Sequence, residues 1–127
     1  PFDFRRSKRI GQNISDKNDQ LKFGAGYDHN FVLNGENMRI AAMAIGDKSG
    51  IVMEVITDQP GIQLYTGNYM NSENTIKYGL KDNRREAFCL ETQHFPDSPN
   101  HPQFPTTVLN PGEIFKSTTI YQFSRTK

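Results

Sequence analysis

Three polar residues stand where the surrounding sequence is apolar or forms turns, and their side chains suit acid–base chemistry or the binding of hydroxyl groups. Asp28 precedes the run HNFVL, Gln63 interrupts GIQLYTGN, and Glu91 follows the run AFCL. A carboxylate that is partly removed from water holds its proton more readily, which suits proton transfer near neutral pH. Each residue also fits a plain hydrogen-bonding role at a strand end, so spacing alone does not place the three in one pocket.

The segment CLETQHFPDSPNHPQFP, residues 89–105, is the most unusual stretch of the chain. It contains two carboxylates, two histidines and four prolines within seventeen positions. A proline every three residues is incompatible with a helix and with most strand pairing. The pattern therefore predicts a strand that carries Glu91 near its end and runs into a rigid loop, which could form one wall of a site.

Other catalytic chemistries find little support in the sequence. His29, His94 and His101 are far apart and lack the spacing of metal ligands, so we expect no metal site. The single cysteine, Cys89, excludes an internal disulfide and lies in an apolar run, which predicts a buried and inert thiol. No serine lies in a Gly-x-Ser-x-Gly elbow. Gly24-Ala25-Gly26 precedes a strand instead of following one, unlike a phosphate-binding loop.

Composition narrows the range of partners. Fifteen basic and fourteen acidic residues give a net charge of +1, so no whole-chain field favours nucleic acid. The basic residues of the segment RRSKR, residues 5–9, are expected to be solvated or to pair with Asp3. No apolar stretch approaches the length of a membrane span. We therefore expect no membrane partner and a cytoplasmic location.

Strand-like patterns dominate the chain and predict an all-β fold. The runs are short, rich in β-branched and aromatic residues and separated by turn signals, as in an antiparallel β-sandwich. Residues 1–127 show no linker or repeat, which predicts one domain. Residues 1–26 and 70–85 read as irregular, and MRIAAMAI would suit a helix by propensity but is short for one. Strands are predicted in HNFVLNGEN, MRIAAMAI, IVMEVIT, GIQLYTGNY, REAFCLETQ and FKSTTIYQFS. The segment GDKSG, residues 46–50, has glycine at both ends and predicts a hairpin between the second and third of these strands.

Four segments resemble the characteristic motifs of the aldose 1-epimerases, or galactose mutarotases. They are PFDFR, GYDHNFVL, TDQPGIQLYTGN and CLETQHFPDSPNHPQFPTTVLNPGE, in the order of that family's C-terminal part. The resemblance covers residues 1–124 and is weaker in 12–22 and 70–85. It implies part of a large antiparallel β-sandwich. It also implies interconversion of the α and β anomers of hexoses such as galactose and glucose, without metal or cofactor.

The resemblance also implies roles for individual residues. Glu91 matches the general base of that family, and Asp28 and Gln63 match residues that line the sugar site. The family's general acid is a histidine in an earlier part of its members, and none of the three histidines here occupies the matching motif. We therefore expect the 127 residues alone to be inactive. We expect them to associate with the missing N-terminal part or with themselves.

Two other classes of function remain open at this stage. A non-catalytic carbohydrate-binding β-sandwich would use the same polar residues only to hold sugar. A glycosidase would need a second carboxylate beside Glu91, and Asp97 is the nearest one in the sequence.

Overall fold

Two three-stranded sheets make up the regular structure in a computed structural model that describes residues 1–126. One sheet has the order β1-β4-β5 and the other has the order β2-β3-β6. Both are antiparallel, and little helix accompanies them, so the predicted all-β class is confirmed. The strands are β1 (Asp28–Val32), β2 (Arg39–Ile45), β3 (Ile51–Thr57), β4 (Gly61–Tyr65), β5 (Cys89–Gln93) and β6 (Thr119–Arg125).

Helical structure is confined to short pieces. The α-helix α1 (Asp19–Phe23) begins where the side chain of Asn18 accepts hydrogen bonds from the N–H groups of Gln20 and Leu21. The sequence interpretation missed it because five residues are too few to show a helical period. Single 3₁₀ turns span Ile10–Gln12, Lys77–Gly79 and Ser98–Asn100. Within residues 1–126 no helix is long and apolar enough to cross a membrane.

The chain forms two compact units. The first combines Pro1–His29 with Leu64–Cys89, and the second combines Asn30–Gln63 with the residues from Leu90 onward. A single domain over residues 1–127 stays a prediction.

Tyr27 is the centre of the first unit and is fully buried. Its hydroxyl donates a hydrogen bond to the carbonyl oxygen of Pro1 at 3.0 Å. The rings of Phe2 and Phe4 meet it edge-on, with centroids 5.6 and 5.3 Å away. Burial raises the pKa of the Tyr27 phenol, so the hydroxyl stays protonated and keeps its donor role. These contacts hold the PFDFR segment against Tyr27, the residue that precedes β1.

The YTGN turn after β4 is held by buried hydrogen bonds to the same region. The Nδ2 of Asn68 donates to the carbonyl oxygens of Gly24 and Tyr27 at 2.9 and 2.8 Å, and the N–H of Tyr27 donates to Thr66 Oγ1 at 3.1 Å. Gly26 has a φ of +141° and passes so close to Asn68 that an added Cβ would collide with Oδ1. A glycine is therefore required at this position.

The second unit contains a β-hairpin that is extended by one further strand. β2 and β3 pair antiparallel across residues 46–50, and β6 pairs with the other edge of β3. The N–H of Gly46 donates to the carbonyl of Ile51 at 2.8 Å, and Gly50 has a φ of +67°. This confirms the predicted hairpin and the strand assignment of MRIAAMAI. Val55 and Thr57 of the central strand are fully buried.

Several predicted boundaries were wrong. β4 ends at Tyr65, before the buried turn, and β6 begins only at Thr119, which leaves Phe115 outside it. Glu91 is the middle residue of β5 and does not end the strand. Cys89 is exposed, although its apolar neighbours predicted burial. Successive side chains of a strand point to opposite sides of the sheet. Cys89, the first residue of β5, therefore lies on the same exposed side as Glu91, and Leu90 between them is half-buried.

Candidate functional site

Glu91 presents an exposed carboxylate from the middle of β5. Among residues 1–126, its side chain makes no hydrogen bond or ion pair, so both oxygens remain available as acceptors. The side chain of Gln93, two residues further along the same strand, extends on the same side of the sheet. The carboxylate thus lies beside an amide that is itself held by neighbouring strands.

Three side-chain amides converge next to Glu91 in the second unit. The Nε2 of Gln93 donates to Gln63 Oε1 at 3.3 Å and to Asn30 Oδ1 at 3.2 Å. All three side chains are half-buried. The approach of Asn30 depends on Gly61, because a Cβ there would lie 2.5 Å from Asn30 Oδ1. Gln63 therefore belongs to an amide cluster, Asn30–Gln63–Gln93, that fixes the orientation of neutral hydrogen-bonding groups.

Asp28 is the first residue of β1 and is half-buried. Its backbone N–H donates to His29 Nδ1 at 2.9 Å, so that nitrogen is an acceptor and lacks a proton. Asp28 belongs to the first compact unit, whereas Gln63 and Glu91 belong to the second. The meeting of Asp28 with the other two at one sugar site stays a prediction.

A chain of hydrogen bonds behind β5 orients His94. Its Nδ1 is 2.8 Å from Gln59 Oε1, the Nε2 of Gln59 donates to Ser117 Oγ at 2.6 Å, and Ser117 donates to Asp58 Oδ1 at 3.2 Å. The Asp58 carboxylate only accepts, which sets the direction of every bond in the series. His94 Nδ1 therefore donates to Gln59 Oε1.

The proline-containing loop after β5 is closed by local bonds. The Phe95 and Phe104 rings meet edge-on with centroids 5.2 Å apart, and buried Ser98 donates to the carbonyl of Phe95 at 2.6 Å. Asp97 Oδ2 and His101 Nε2 lie at hydrogen-bond distance, 3.1 Å apart. The carboxylate that a glycosidase would need is thus engaged within the loop.

One sequence expectation about the basic segment is confirmed. Arg5 donates from Nε and Nη2 to the two carboxylate oxygens of Asp3 at 3.0 and 2.7 Å. These hydrogen bonds hold the pKa of the exposed Asp3 carboxyl well below its usual range.

Sequence reasoning missed Asn30, Gln93 and the orientation of His94. The signal for the two amides was present, since Asn30 follows Asp28 by two residues and Gln93 follows Glu91 by two. Residues at that spacing in a strand share a side. The hydrogen bonds of His94 join segments far apart in the sequence, and no local signal indicates them.

Comparison of the sequence with known proteins identifies its family. Residues 1–122 match the family model described as aldose 1-epimerase. The chain is 40% identical over 124 residues to the galactose mutarotase of Homo sapiens, which covers 97% of this chain and 35% of that protein. It is 36% identical over 129 residues to the aldose 1-epimerase of Escherichia coli (strain K12), which covers 96% of this chain and 36% of that protein.

The chain therefore belongs to the aldose 1-epimerase family, which confirms the resemblance drawn from its motifs. It spans about 35% of the length of the human relative and matches the C-terminal part of the family's members.

Proposed function

We propose that this chain supplies the general base and part of the sugar site of an aldose 1-epimerase acting on hexoses such as galactose and glucose. The observation that carries the proposal is the exposed Glu91 carboxylate beside the amide cluster, in a chain of this family. A free carboxylate oxygen can accept a proton, while fixed amides can bind sugar hydroxyls.

Glu91 removes the proton of the anomeric hydroxyl in this proposal. Ring opening also needs an acid that protonates the ring oxygen, after which rotation about C1–C2 and reclosure give the other anomer. Gln63 binds a sugar hydroxyl, with its amide orientation fixed by Gln93. Asp28 accepts hydrogen bonds from further hydroxyls. No residue of this chain is assigned the acid, because none of its histidines occupies the family's matching motif.

The hydrogen-bonded loop that follows β5 is consistent with a positioning role for that strand. Its buried Ser98 and its Phe95–Phe104 contact limit the conformations that the chain after β5 can adopt. A catalytic group that is held in place before the substrate arrives loses less entropy at the reaction step. A cytoplasmic location stays a prediction.

The activity is tested in a polypeptide of the relatives' length that carries these 127 residues as its C-terminal part, called here the full-length polypeptide. Fresh α-galactose should lose optical rotation much faster with this polypeptide than in buffer. An unchanged rate together with saturable sugar binding would instead indicate a carbohydrate-binding protein. Release of nitrophenol from a nitrophenyl hexoside would indicate a glycosidase.

A further inference from the structure

Arg84 and Arg85 place two positive charges side by side in the first compact unit. The Nη2 atoms of both residues donate to the same carbonyl oxygen, that of Ala25, at 3.0 and 2.9 Å. Arg84 also donates from Nε to the carbonyl of Asn68 at 3.1 Å. Neither arginine is among the residues proposed to hold sugar.

No acidic partner neutralises this pair. In the described chain, no carboxylate oxygen lies within salt-bridge distance of either guanidinium. Burial and the adjoining Arg84 charge both lower the pKa of the Arg85 guanidinium. Arg85 also has a φ of +65°, a conformation held by the hydrogen bond from its N–H to the carbonyl of Gly67 at 3.0 Å. Like charges in close contact and an unfavourable backbone conformation both cost free energy.

Most of the donors of this pair remain available. A guanidinium carries five N–H bonds in a planar fork that matches the oxygens of phosphate. Arg85 uses one of its donor atoms in the contacts described above, and Arg84 uses two. The remaining N–H groups can therefore bind an oxyanion without breaking the bonds to Ala25 and Asn68.

An open cleft with a volume of about 460 Å³ adjoins the two arginines. Lys17 and Lys22 also line it, and Asp16 and Asp19 contribute the opposing charges. Four cationic side chains against two carboxylates leave the cleft positive. Its volume suits a phosphate group that carries a small organic substituent.

We propose that this cleft is an anion site that binds the phosphate group of inorganic phosphate or of a small phosphate monoester through Arg84 and Arg85. The site lies outside the proposed sugar-binding residues and does not depend on the proposed epimerase activity. The competing explanation is purely structural: the two arginines stabilise the carbonyl groups after the C-terminus of α1, where cations are favourable.

The test titrates inorganic phosphate, hexose 6-phosphate and unphosphorylated hexose into the 127-residue chain at low ionic strength. Binding is followed by calorimetry and by the side-chain Nε–Hε resonances of the arginines. We expect both phosphates to bind and to shift Arg84 and Arg85, while hexose shifts neither. Tighter binding of the monoester would identify the ester as the ligand, and equal binding would identify phosphate itself. Both outcomes support the site.

Two double variants provide the matched comparison. Arg84→Gln/Arg85→Gln should weaken phosphate binding by about tenfold or more, as expected for the loss of charge-assisted hydrogen bonds. Arg6→Gln/Arg9→Gln removes the same charge from an exposed segment and should leave binding unchanged. Arg84→Lys/Arg85→Lys keeps the charge but loses the fork, and should give an intermediate affinity.

The proposal fails if phosphate shifts Arg6 and Arg9 as much as Arg84 and Arg85, or if the two glutamine variants bind equally. It also fails if phosphate does not bind the unmodified chain and the Arg84→Gln/Arg85→Gln variant only melts at a lower temperature. That result would assign the pair to stabilisation of the turn after α1. The resonance shifts of the unmodified chain decide the question even if a variant does not fold.

Discussion

Alternation along strands explains how the residues beside Glu91 come together. Asn30 and Gln93 each follow a predicted site residue by two positions. Within the amide cluster, Gln93 donates hydrogen bonds to Asn30 and to Gln63. The sequence predicts the residue types and the side on which each extends. It does not predict that β1, β4 and β5 are neighbours, because that pairing joins segments separated by dozens of residues. The family motifs implied only that Asp28, Gln63 and Glu91 belong to one sugar site, which stays a prediction.

Asp28→Ala tests the sugar-ligand role of the first residue of β1. In the full-length polypeptide, we expect galactose affinity to fall about tenfold or more, because charged hydrogen bonds to hydroxyls are lost. Turnover should also fall, since positioning contributes to the rate. Affinity and melting temperature are measured together. A lower melting temperature with unchanged affinity in the folded protein would show a structural residue only.

Gly61→Ala tests whether the amide cluster matters for sugar binding. The new Cβ would lie 2.5 Å from Asn30 Oδ1, so Asn30 must move and its bond to Gln93 should be lost. We expect a few-fold weaker galactose binding and a shift of the Gln93 side-chain amide resonance. Gly11→Ala is the matched control, because an added Cβ there meets nothing within 4 Å. Equal affinities of the two variants would remove the cluster from the site.

At the scale of elements, the strands were predictable and their ends were not. Short apolar or alternating runs bounded by turn signals predicted all six strands, and the glycine-flanked hairpin between β2 and β3 is confirmed. The end of β4 depends on the buried Thr66 and Asn68 side chains, whose partners lie around Tyr27. The helix α1 was missed because its signal is one capping residue, Asn18. Ends that are fixed by distant hydrogen bonds leave no local pattern.

Hydrogen bonds to the Asp82 carboxylate stabilise the irregular segment 70–85. The stability of this segment should therefore depend on pH. Asp82 accepts hydrogen bonds from the Nδ2 and the N–H of Asn74 at 2.8 and 2.9 Å. The side-chain bond is the main reason why the pKa of Asp82 is lower than usual. A group with a lowered folded-state pKa stabilises the fold above its unfolded pKa of about 3.9. That contribution is lost as the pH falls through the folded-state value.

Asn74→Ala should therefore lower the melting temperature at pH values above about 4 and have little effect below the folded-state pKa of Asp82. The Asp82 carboxyl resonance should titrate at a higher pH in the variant than in the unmodified chain. A destabilisation that is the same at acidic and neutral pH would show that the Asn74–Asp82 bonds do not depend on ionisation.

At the scale of the whole molecule, the exposed apolar surface is the main feature. One side of the sheet β2-β3-β6 carries Ile40, Met43, Ile45 and Ile120, whose exposed fractions run from 46% to 61%. Glu54 and Gln122 lie on the same side, but several exposed apolar side chains on one side of a sheet are typical of an interface. The chain spans about 35% of the human relative, so we expect this side to pack against the remaining part of such a polypeptide, or against a second copy.

The 127 residues alone should therefore associate and should not catalyse mutarotation. Light scattering at micromolar concentration is expected to give a mass above 14.5 kDa, and optical rotation of α-galactose should change no faster than in buffer. Addition of the complementary N-terminal part should restore the rate. Catalysis by a monomer would contradict the prediction and would require one of the histidines present here to act as the acid.

Glu91→Gln in the full-length polypeptide tests the central claim most directly. Glutamine keeps the size and hydrogen bonding of the side chain but cannot accept the anomeric proton. The mutarotation rate of α-galactose should fall by about a hundred- to ten-thousand-fold, with galactose affinity largely kept. Glu36→Gln, a change at an exposed turn residue, should leave the rate unchanged. A Glu91→Gln variant that turns over galactose as fast as the Glu36→Gln control would contradict the assignment of Glu91 as the base.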